Sequence, residues 1–115
     1  MPSTKKLVLR IRELNEAATR LRGTLRQYER TMAKIADRLE GGERAITASQ
    51  GTGIPSERRQ VTEAIDEFEA ARHQLRLALM VAARAEGASI SDVGRVLGIS
   101  RQLAARLAAE AAAAL

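Results

Sequence analysis

Along the first forty residues the apolar side chains fall at Leu7, Ile11, Leu14, Ala18, Leu21, Leu25, Tyr28, Met32, Ile35 and Leu39. The spacing alternates four and three without a break. It is a heptad repeat, and it predicts one helix over residues 4–40, about 55 Å long. A stripe of that length needs a partner helix. The partner is either a later helix of the same chain or the same helix of a second copy. Leu7, Ile11, Leu14, Leu21, Leu25, Tyr28, Met32, Ile35 and Leu39 are therefore the expected dimerisation residues. The flanking positions mix charge with small residues (Arg10, Arg22, Glu29 and Arg38 with Ala17, Thr24 and Ala36), which suits a broad bundle face as well as a two-stranded zipper.

Residues 41–56, GGERAITASQGTGIPS, break the pattern. Gly41-Gly42 ends the first helix, and the glycines, Pro55 and small polar residues that follow read as a loop. A second helix is expected after Pro55, with Ser56 as its N-cap and Glu57 in its first turn. Val61, Ile65, Phe68, Leu75, Leu79 and Ala82 continue a seam, which Arg72 interrupts. From Leu75 to Ala85 the apolar residues run almost all round, so this half of the helix should be contacted from more than one side.

Residues 89–107, SISDVGRVLGISRQLAARL, are two short helical patterns around a Gly-Ile-Ser step. Ser89 and Asp92 have capping-box spacing. Val93, Val96 and Leu97 are expected to form the buried face of the first helix. Gly94 is small where two helices must approach, Gly98 supplies the turn, Ile99 plugs the core and Ser100 caps the last helix. Ala104 and Leu107 should point inward, with Arg101, Gln102, Ala105, Arg106 and Ala109 on the other side.

Composition narrows the class. The 115 residues include one Phe, one Tyr and no Trp. With Ala, Leu, Arg and Glu abundant and two prolines, the chain reads as all-α. There is no cysteine, which excludes disulfides and thiolate metal sites. His73 is the only histidine and is expected on a helix surface or seam. No nucleophile–base pair can be assembled, and Glu63, Asp66, Glu67 and Glu69 fit a solvated acidic face, so no enzyme and no cofactor is expected. No apolar run approaches a membrane span, and MPSTKKLVLRIREL lacks the apolar core of a signal peptide. The expected location is the cytoplasm, at the nucleoid.

The net charge is +5, and the excess lies in the first 44 residues. Such a balance attracts polyanions.

The pattern AxxxGxSxxDVGRxLGISRQ, with apolar Val93, Ala104 and Leu107 around Gly94 and Gly98, resembles the helix-turn-helix of DNA-binding proteins. It is most similar to the motifs of sigma-factor region 4 and of resolvases, and to small regulators of high-GC bacteria. The likeness spans roughly residues 75–113. It implies a C-terminal tri-helical domain over 75–115, with residues 1–74 as a coiled-coil hairpin or dimerisation region. It also implies double-stranded DNA as partner and a homodimer that reads paired half-sites. Arg101 and Gln102 would meet base edges, Arg106 a base or phosphate, and Ser100 a phosphate; Ala105 would lie on the same face. Ser91 and Arg95 would touch the backbone. Ala105 and Ala109 stand where the family has bulkier readers. Two other roles fit the same residues. One is DNA compaction with low sequence preference, aided by Lys5, Lys6, Arg10 and Arg12. The other is a module that captures a protein partner through the N-terminal coiled coil.

Overall fold

A computed structural model of the chain describes residues 2–114. Among the described residues the protein is all-α, with five helices in chain order: α1 (Pro2–Glu40), α2 (Ala45–Ser49), α3 (Ile54–Ala85), α4 (Ile90–Leu97) and α5 (Arg101–Ala113). The 39-residue α1 is the long helix that the heptad repeat demands. Its end is fixed by backbone bonds. The Glu43 N–H donates to the Arg38 carbonyl at 3.0 Å and the Gly42 N–H to that of Leu39 at 3.1 Å. This reversal puts Gly42 at φ 98°, which a residue without Cβ adopts at no steric cost.

Two expectations for the connection are corrected. Residues 41–56 are not all loop, because α2 forms within them and buries Ala48 completely. A five-residue helix carries no periodic stripe, so spacing alone does not reveal it. The third helix starts at Ile54, not after Ser56. Its first helical bond runs from the Glu57 N–H to the Gly53 carbonyl at 3.0 Å. Pro55 sits inside the first turn, where a missing N–H costs nothing. Ser56 is thus a first-turn residue, not the N-cap.

The chain divides into two compact units, residues 16–68 and residues 2–15 with 69–114. In the first of these, α1 and α3 run antiparallel. Arg20 Nε donates to Glu67 Oε2 at 3.0 Å, and further along α1 the Thr31 hydroxyl donates to Glu57 Oε1 at 2.9 Å. Gln27 Nε2 donates to the same Glu57 oxygen at 3.0 Å. Ala17, Thr31 and Ile35 on α1 and Ala64 on α3 are buried. The packed face of α1 therefore runs through Ala17, Leu21, Thr24, Tyr28, Thr31 and Ile35, none of them fully exposed. Small side chains at positions 17, 24 and 31 let the helices approach. The second heptad column is covered less, with Ala18 and Met32 half-buried. Its Leu25 and Leu39 stay 39% and 43% exposed.

In the second unit the core is Met80, Val93, Leu107 and Ala111, with Leu77, Ile90, Leu97, Ile99 and Leu103 packed around it. The all-round apolar half of α3 supplies Met80, the largest side chain that is fully buried. His73 of α3 meets Glu110 of α5 across 2.9 Å. It is partly exposed, as a helix-surface histidine would be.

Candidate nucleic-acid interface

The geometry of α4 and α5 follows from three local devices. Ser89 and Asp92 cap α4 reciprocally: Ser89 Oγ accepts from the Asp92 N–H at 3.0 Å, and Asp92 Oδ2 accepts from the Ser89 N–H at 2.9 Å. Gly98 sits in the left-handed region at φ 68° and turns the chain out of α4. Ser100 caps α5 by accepting from the Leu103 N–H at 3.1 Å. A hydroxyl that accepts in this way keeps its own proton, so Ser100 can donate outward to an anion.

Gly94 makes the crossing possible. A Cβ there would lie 3.2 Å from that of Ala104 and 3.7 Å from the Ile99 carbonyl oxygen. On α5, Ala104, Leu107 and Ala111 are buried. The opposite face presents Arg101, Gln102, Ala105, Arg106 and Ala109, all exposed. Residues 101 and 105, and 102 and 106, stand one helical turn apart on one contiguous strip. Among the described residues neither Arg101 nor Arg106 has an ion-pair partner.

Ser91 and Arg95 are exposed on α4. Arg95 is not a free cation, because its Nη2 donates to Asp92 Oδ1. Asp92 is held below its ordinary value, first by its hydrogen bonds with Ser89 and then by the nearby Arg95 guanidinium.

The expected burial of Val96 is overturned: it is 77% exposed. Val93 and Gly94 are both buried, so the centre of the packed face lies between them and toward Leu97. Val96 is turned about 60° past Val93 on the far side, at 100° per residue. It lies beside Leu79, Ala83 and Ala88 on a shallow apolar surface next to α4. Sequence spacing alone missed this outward methyl group. The signal available was Gly94, whose need for close approach fixes which side of α4 faces inward.

The charge is also redistributed by folding. Residues 16–68 hold nine basic and nine acidic side chains. The other unit holds ten basic and five acidic ones, so the whole net charge of +5 belongs to the unit that carries α4 and α5. Lys5, Lys6, Arg10 and Arg12 reach it because residues 2–15 group with the C-terminal helices. Arg10 is partly neutralised by Glu13, at 2.8 Å.

Among the described residues no cluster of three or more His, Asp or Glu could hold a metal ion, and no helix is long and apolar enough to cross a membrane. No protein-family model, no curated protein and no solved structure matches the chain.

Proposed function

We propose that this chain is a DNA-binding protein, a bacterial transcription regulator of the nucleoid that works as a homodimer through a helix-turn-helix formed by α4 and α5. In this reading α5 lies in the major groove. Arg101 donates two hydrogen bonds to a guanine and Gln102 pairs with an adenine, each worth about 1–3 kcal/mol of discrimination. Arg106 meets a base or phosphate, and Ser100 with the N-terminus of α5 meets a phosphate. Ser91 and the Arg95–Asp92 pair border the backbone. Residues 1–74 supply the coiled-coil hairpin and the dimer contact.

The observation that carries the reading is the charge partition. All of the net +5 falls in the unit of α4 and α5, where the exposed strip holds two unpaired arginines. A second reading, DNA compaction with little sequence preference, is supported by Ala105 and Ala109. Both are exposed at the middle of the strip and have no group to read a base edge.

Fluorescence anisotropy with labelled duplex DNA across a salt series tests both. Binding is expected to weaken by about 0.9 log units per phosphate contact for each tenfold rise in salt, and to be lost in Arg101→Ala/Arg106→Ala. A specific site supports the regulator, and uniform affinity across sequences supports compaction. Absence of binding at low salt overturns both and favours the protein-interaction module.

A further inference from the structure

The heptad repeat supplies α1 with two apolar columns, and the chain covers one of them more fully. The other holds Ile11, Ala18, Leu25, Met32 and Leu39, of which Ile11, Leu25 and Leu39 are exposed. Its place in residues 16–68 can be located. Thr24 and Ala64 line one groove between the antiparallel helices. Leu25 and Ile65 each follow by one residue. A 100° step from facing positions of two antiparallel helices turns both side chains to the same flank. Arg20 and Glu67 bridge the opposite flank. One flank is thus closed by a polar bridge. The other presents Leu25 and Ile65, 39% and 44% exposed.

We infer that a second copy of this chain covers that flank, with α1 lying antiparallel on the partner's α1 about a two-fold axis at Leu25. Two features of the column point to this occupant and this direction. The column is symmetric about Leu25, since Ala18 and Met32 are each seven residues away. An axis there sets small Ala18 against the partner's long Met32, twice, and Leu25 against the partner's Leu25. Charge then decides the direction. Arg22 and Glu29 border the column on either side of Leu25. Antiparallel pairing sets Arg22 beside the partner's Glu29 and Glu29 beside the partner's Arg22, whereas parallel pairing turns this row toward the partner's uncharged Ala17 and Thr24 and forms no such ion pair. Both are exposed, and neither has an ion-pair partner among the described residues. Arg22 Nη2 donates to the Thr19 hydroxyl across a long 3.4 Å.

This pairing deepens the dimer part of the proposed function and stands independently of DNA contact. Sedimentation of the full chain without DNA tests it, and anisotropy on the same variants keeps the two failures apart. The wild type is expected to dimerise at or below about 100 µM. Arg22→Glu is expected to raise the dissociation constant about tenfold, because two opposite-charge contacts become two like-charge ones. The swap Arg22→Glu/Glu29→Arg is expected to restore it. The chain has no cysteine, so single introduced thiols report the register. On oxidation Leu25→Cys should cross-link to itself, while Ala18→Cys should cross-link to Met32→Cys in a mixture. A wild type that stays monomeric, a swap no better than Arg22→Glu, or Ala18→Cys and Met32→Cys each linking to itself would overturn the proposal.

Discussion

Gly94 of α4 and Ala104 of α5 face each other so closely that a methyl group on the first would stand 3.2 Å from the Cβ of the second. The crossing depends on that missing carbon. Gly94→Val is expected to destabilise the protein by about 1–3 kcal/mol through overpacking, read from urea unfolding. Gly94→Ala should cost less, since the helix-propensity gain of about 1 kcal/mol offsets part of the crowding.

Met80 is almost wholly buried where α3 meets α4 and α5. Truncation to alanine leaves a cavity with no polar group to hold water. Met80→Ala is expected to cost about 2–5 kcal/mol, and Met80→Leu less than about 1.5 kcal/mol. Calorimetric melting of the two variants checks the order.

Asp92 is held below its ordinary value of 3.8 because its carboxylate accepts the Ser89 N–H. A carboxyl whose folded value is depressed stabilises the fold fully above its unfolded value, and this contribution disappears as pH falls through the folded value. Stability from this cap should therefore be intact above about pH 5 and fade below about pH 4. Asp92→Asn keeps an acceptor but cannot titrate. Its melting temperature should fall less than that of the wild type as pH drops below about 4.

Thr31 donates to Glu57 and is the largest influence holding that carboxyl below its ordinary 4.5, with Gln27 second. Thr31→Val removes the donor and leaves its methyl packing in place. The Glu57 titration, followed by carbon-detected NMR, should move up toward 4.5. The substitution also removes a part-buried hydrogen bond and leaves Glu57 Oε1 with the Gln27 donor, so it is expected to be destabilising as well.

Much of the fold was legible because it rests on periodicity and caps. The four-three spacing specified α1, and Ser89, Asp92, Gly98 and Ser100 marked the bounds of α4 and α5. Three features escaped for physical reasons. The α2 turn is too short to carry a period. Val96 depended on which side of α4 the close approach of Gly94 selects. The choice between the two heptad columns depended on the small residues Ala17, Thr24 and Thr31, which a count of apolar positions passes over. Every exposed α5 position proposed for DNA was named from the sequence, but the pairing of Arg95 with Asp92 was not. The signal available was the three-residue spacing of Asp92 and Arg95 on one helix.

The even balance of nine basic and nine acidic side chains in residues 16–68 has an electrokinetic consequence. Near neutral pH that unit adds no net charge to the force that a field exerts on the protein. The net electrophoretic force on the intact protein is set by the charge of the remaining residues.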